Sequence, residues 1–123
     1  MDITRQGATD RQVIQRYASD GFKVSGVSFT GAVIVTVTNT LVWPVTAFSA
    51  LKIEDFAPLL PQAPWDVCLL GCGERTEFVP PDLRAALKAK GIPVDAMGTG
   101  SACRTFNVLT AEGRHVVAAL FAL

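Results

Sequence analysis

Two short glycine-bearing stretches hold the residues whose types and spacing could do chemistry. In Gly71-Cys72-Gly73 a thiol sits between two residues without side chains, and so open a backbone lets a ligand come close at the carboxyl end of a strand. In the second, Gly98-Thr99-Gly100-Ser101 precedes Cys103, Arg104 and Asn107. A helix beginning there has unpaired N–H groups and a positive dipole at its start, which favours an anion and lowers the pKa of a nearby thiol. Cys103, on the first turn, could then face Cys72 across a crevice, with Arg104 as a further anion contact. A third cluster, Glu112-Gly113-Arg114-His115, offers Arg114 as a clamp for carboxylate or phosphate. Its plainer role is a charged surface turn that caps helix carbonyls.

These residues do not make a complete catalytic set, and no catalytic residue is assigned. The Gly-x-Gly spacing at 71–73 lacks the third glycine and the immediate helix of a dinucleotide site, so a tight strand exit explains it as well. The single histidine, His115, is a whole helix away from Cys103, and no acidic partner is marked out for either. Cys68, Cys72 and Cys103 are an odd number of cysteines without paired metal spacing, so neither a disulfide framework, a metal nor a cofactor is expected. Cys68 reads as a small buried hydrophobe.

The elements that must position these groups follow from pattern. Val67-Cys-Leu-Leu70 is apolar on both alternating faces, as a covered central strand must be. Pro81 suits a first helical position, Leu83, Ala86 and Leu87 form a buried stripe, and Gly91 supplies a left-handed stop. Ile92–Met97 is then a second strand, parallel to the first, so the loops after both open on one sheet edge. A helix from Thr99–Ser101, with Thr99 or Ser101 as its cap, runs to Glu112 with Ala102, Phe106 and Leu109 as its apolar face. Val116–Phe121 is a further buried strand of undetermined direction.

Upstream, Val13–Tyr17, Phe22–Val24, Val27–Phe29, Ala32–Thr38 and Leu41–Phe48 form an antiparallel meander, with Asp20-Gly21 as a positive-φ turn and Trp43-Pro44 marking an edge or bulge. Lys52–Leu60 spaces Ile53, Phe56, Leu59 and Leu60 as an amphipathic helix. The reading is α/β: a single three-layer domain over 13–123, a meander followed by a βαβαβ unit in a central mixed sheet, preceded by a loosely held segment, 1–12. With 123 residues, 50% apolar, and eleven basic against eleven acidic residues, the chain can bury a sizeable core. It carries no electrostatic footprint for nucleic acid or anionic membrane. Its apolar runs fall short of a membrane span, no secretory leader is visible, and a soluble cytoplasmic protein is expected.

Tyr17, Gly21-Phe22, Gly26, Trp43, Leu70-Gly71-Cys72-Gly73, Gly91-Ile92, Met97-Gly98-Thr99, the run Ala102–Leu109 and Glu112-Gly113-Arg114 with Val116 and Ala118-Ala119-Leu120 resemble the family known as domain of unknown function 498/598. Its best-known member is an assembly factor of mitochondrial respiratory complex I. The resemblance covers nearly everything from Tyr17 onward. It implies a three-layer α/β fold with a central mixed sheet and an extra β layer, and no established catalytic activity. Three positions depart from the family's habit: Cys72 stands in Gly-Thr-Gly, Gly98 in Met-Asp-Thr, and Phe106 where tyrosine is common. A mechanism resting on those hydroxyls or that carboxylate would be impaired here.

The resemblance points to a noncatalytic binding or assembly module that engages another protein, or itself, through an apolar face. The alternatives are a small-molecule or anion-binding protein or enzyme using the crevice at Gly71–Gly73 and Thr99–Arg104, and a structural homodimer.

Overall fold

A computed structural model describes residues 11–123; the first ten residues of the segment read as loosely held lie outside it. Strands β1 (Ile14–Tyr17), β2 (Gly21–Val24) and β3 (Val27–Thr30) form an antiparallel three-stranded sheet. Strands β4 (Val33–Val35), β5 (Thr40–Val42), β6 (Val67–Gly71), β7 (Val94–Met97) and β8 (Val116–Leu120) form a five-stranded mixed sheet in the order β5-β4-β8-β6-β7. Two 3₁₀ segments, Phe48–Ala50 and Ile53–Gln62, precede β6, and helices α1 (Pro81–Ala89) and α2 (Thr99–Ala111) join β6 to β7 and β7 to β8.

The strand whose direction the sequence left open occupies the centre. β8 lies parallel to β6, with Val67 opposite Val116 and Gly71 opposite Leu120, and antiparallel to β4, with Val33 opposite Leu120. All five of its residues are buried, and they alternate between two cores. Val116, Ala118 and Leu120 join Leu69, Cys103 and Phe106 under α2 and the small sheet; Val117 and Ala119 join Leu70, Phe56 and Leu87 under the 3₁₀ segment and α1. A strand apolar on both faces can be satisfied only there. β6 and β7 are parallel through the α1 crossover, so their carboxyl ends do share one sheet edge.

The meander is not one sheet. Val33, Ile34 and Val35 are each at most 1% exposed, which requires cover on both faces, so β4 pairs with β8 and β5 rather than with β3. Both expected long strands are shortened; β5 is the sheet edge and ends at Val42, ahead of Trp43-Pro44. The expected helix at 52–60 is 3₁₀. Pro58 and Pro61 remove donors from its interior, and burial falls on Phe56 and Leu59, three residues apart, while Leu60 is 41% exposed. Gly21 has the expected positive φ, 156°, and close approach requires glycine there as well, since a Cβ would lie 1.9 Å from the Phe29 carbonyl oxygen. A second positive-φ pair, Ser25-Gly26 at φ 48° and 86°, closes the β2–β3 hairpin as a two-residue turn.

The α1 stop at Gly91 (φ 81°) is as the sequence required. Gly91 N–H donates to Lys88 O and Ile92 N–H to Leu87 O, both 3.0 Å or less, and the fully buried Leu87 and Ile92 side chains supply the apolar contact of a Schellman ending.

Candidate functional site

At the carboxyl edge of the sheet the expected crevice is closed by the protein's own bonds. α2 begins at Thr99 with Gly98 at its N-cap and no side-chain cap, so neither Thr99 nor Ser101 plays the capping part. The Thr99 side chain turns inward, 0% exposed. Its hydroxyl accepts from Gly73 N–H at 2.8 Å and donates to the Phe121 carbonyl at 2.6 Å. Thr99 N–H donates to Gly73 O, Cys72 N–H to Met97 O, and Phe121 N–H to Gly71 O. The loop Gly71–Gly73, the start of α2 and the end of β8 are thus laced together, and the backbone openness that suggested a ligand serves close packing. A Cβ on Gly71 would lie 2.8 Å from Leu120 and 3.0 Å from the Thr99 hydroxyl.

The rest of the helix start is covered in part by Tyr17. Its phenol oxygen lies 2.8 Å from where a Cβ on Gly100 would stand, and Arg104 donates to it at 2.9 Å while another nitrogen reaches the Ser101 hydroxyl at 3.4 Å. Ser101 and Arg104 are exposed. Asn107 is spent on backbone: its carbonyl accepts from Ile14 N–H and its amide donates to Ile14 O, both at 2.9 Å. That clamp ties the small sheet to α2.

The two thiols of the expected pair do not meet. Cys72 belongs to the core beneath the 3₁₀ segment and α1, Cys103 to the core beneath α2 on the opposite face of the sheet. Cys103 is on the second helical turn rather than the first, and burial pushes its thiol up to about 12, Arg104 opposing only weakly. The expected lowering by the helix start is overruled by desolvation. Burial raises Cys72 also, and Cys68, fully buried, is pushed up to about 12. Among the described residues no group of three or more His, Cys, Asp and Glu side chains forms a metal site.

Arg114 is not part of this edge. It precedes β8, and so stands at the opposite end of the sheet from Gly71–Gly73. There Asp66 accepts from His115 N–H at 2.9 Å and from Arg114 Nε at 3.4 Å. The His115 amide first, then Arg114, hold the Asp66 carboxyl below the ordinary carboxylate value against an opposing desolvation cost. The His115 ring stacks on Trp65, centroids 4.1 Å apart, with Nε2 2.8 Å from Gln62 O.

What the sequence did not single out is the other face of the β6 exit. A mainly apolar groove of about 270 Å³ is lined there by Phe48, Leu51, Leu70, Val79 and Leu83, with Ser49 and Glu77 as its polar members and Phe78 on its rim. Phe78 is 78% exposed. The available signal was an aromatic residue closing the polar loop Glu74-Arg75-Thr76-Glu77.

A small antiparallel three-stranded sheet layered with α2 and a mixed five-stranded sheet is a fold shared with solved structures of a recognised class. The sequence profile described as protein of unknown function DUF498/DUF598 matches residues 14–121, and the chain belongs to that family. It is 35% identical over 98% of its length to a zebrafish (Danio rerio) protein named NADH dehydrogenase [ubiquinone] 1 alpha subcomplex assembly factor 3, and 33% identical over 87% to the bovine protein of that name. The chain spans 70% of the zebrafish protein and 59% of the bovine one. Among solved structures it is similar to a Bordetella parapertussis protein (TM-score 0.84, 32% identity, 94% of this chain and 99% of that one). It is also similar to a Bartonella henselae chain described as an outer membrane protein (TM-score 0.82, 36% identity, 91% and 95%).

Proposed function

We propose that this chain is a noncatalytic assembly module that holds another polypeptide, a subunit of a respiratory NADH dehydrogenase, through the apolar surface around Phe78. The observation that carries the reading is Phe78 itself, 78% exposed at the rim of an apolar groove. An aromatic side chain left in water beside an apolar cleft marks an interaction surface. The naming of relatives as assembly factors of NADH dehydrogenase supports the choice of partner. The noncatalytic part is supported by what the polar residues already do, since Thr99 and Asn107 are committed to backbone partners and Cys103 is buried. The cytoplasm is part of the same reading.

Deleting the gene in its source cell and separating native membrane complexes tests it. Assembled NADH dehydrogenase should fall several-fold and return with the wild-type chain but not with Phe78→Ser, whose circular dichroism should match wild type because the side chain is exposed. Undiminished complex after deletion overturns the reading.

A further inference from the structure

The small sheet ends at β3, whose outer edge no other described residue pairs with. Gly31 N–H donates to Asp20 O at 2.9 Å, and Phe22 and Val24 stand opposite Phe29 and Val27. In an antiparallel ladder the inward- and outward-facing residues alternate, so the N–H and C=O groups of Ser28 and Thr30 point away from β2. No strand pairs with them among the described residues.

Each of the other three edges carries some device that β3 lacks. At β1 the Asn107 side chain takes both backbone groups of Ile14. At β7 Arg84 donates to Val94 O at 2.6 Å. β5 is three residues long and is followed by Trp43-Pro44. β3 reads Val27-Ser28-Phe29-Thr30, with no charge, proline or bulge, the devices that keep edges apart. The apolar row that Phe22 and Val24 begin is left incompletely covered at this rim, with Phe29 half-buried and Val27 55% exposed.

We propose that β3 pairs antiparallel with β3 of a second copy of this chain, joining two small sheets into one. The strand is self-complementary about a two-fold axis at Phe29. In that register Ser28 of each copy meets Thr30 of the other, and each such pair exchanges both backbone hydrogen bonds. The two Phe29 rings become cross-strand neighbours on the core side. β3 itself carries no charge, so no like charges stand directly opposite one another across the pairing. A four-residue strand covers far less than the roughly 1,200 Å² of a stable interface, so the pairing is weak and fills with concentration.

The test uses the purified chain alone, ¹⁵N-labelled, taken from micromolar to millimolar concentration. Sedimentation should show the mass rising toward a dimer, and amide exchange at Ser28 and Thr30 should slow about tenfold while that of Phe29, already bonded to β2, stays constant. Ser28→Pro removes an outward N–H without touching the β2 ladder, and Val27→Lys puts a charge on an exposed position; both should remain monomeric. Leu41→Lys, on the β5 edge, should still dimerise. A wild-type monomer at millimolar concentration overturns the proposal, as does a dimer that survives Val27→Lys or is lost in Leu41→Lys. A monomeric result leaves the assembly reading standing, because no other protein enters the measurement.

Discussion

At the carboxyl end of the central sheet the Thr99 hydroxyl ties Gly73 to Phe121 from a position with no solvent exposure. At the amino end the Asp66 carboxylate ties itself to His115 and Arg114 with its side chain 44% exposed. Both join the start or finish of β6 to that of β8. The neutral, buried tie leaves unsatisfied backbone groups in a dry place if it is cut; the charged, wet one leaves groups that water will satisfy. The charged cluster is therefore the weaker link, and a threonine is the stronger one.

That contrast can be broken by four substitutions in falling order of effect. Thr99→Val keeps the shape and strands Gly73 N–H and the Phe121 carbonyl, so urea denaturation should show a loss of about 3 kcal/mol, largely recovered in Thr99→Ser. Gly91→Val, at the amino end, should cost about 2 kcal/mol. It forces a branched residue to φ 81° and sets its Cβ 3.0 Å from Pro64, so a loss equal to that of Thr99→Val would show that the amino end is not the weaker one. Asn107→Ala removes a half-buried neutral clamp and should fall between the buried and exposed ties, at about 1 to 2 kcal/mol, with faster amide exchange at Ile14.

Asp66→Asn should be the smallest and the only one that depends on pH. The folded carboxyl titrates below its ordinary 3.8, so its contribution is complete above that value and fades as pH falls through the lower folded one. Thermal melts of the two proteins should differ slightly at neutral pH and converge in acid. A difference that stays undiminished however far the pH is lowered would mean that the carboxylate's charge is not what matters.

The elements written in periodicity and glycine placement were legible: β6 and β8 as doubly covered strands, α1 with its Gly91 stop, and the parallel β6–β7 unit. The partner of β4 was not, because three consecutive buried residues say only that both faces are covered and not which strand supplies the cover. The site was misread for a different reason. Thr99, Ala102, Cys103, Phe106 and Thr110 are all buried on α2, a stripe at helical spacing. That spacing already turned Thr99 and Cys103 inward, but their polar atoms invited a reading as surface chemistry. Glycine beside threonine signals closeness of backbone, and closeness serves packing as readily as it serves a ligand. Arg114, offered as an anion clamp, could not be placed relative to the crevice while the direction of β8 was open; with β8 parallel to β6, it stands at the far end.

The central position of β8 also governs the order in which the molecule can come into being. β4 and β6 meet only through a strand that arrives late, with Val33 waiting for Leu120. Until residues 116–120 are available, each has an apolar edge with open backbone groups and no neighbour to close it. A chain paused on the ribosome before Val116 therefore holds two sticky half-sheets rather than most of a fold. Closure requires a long return of the chain, and pairing of that range is the kind that slows folding.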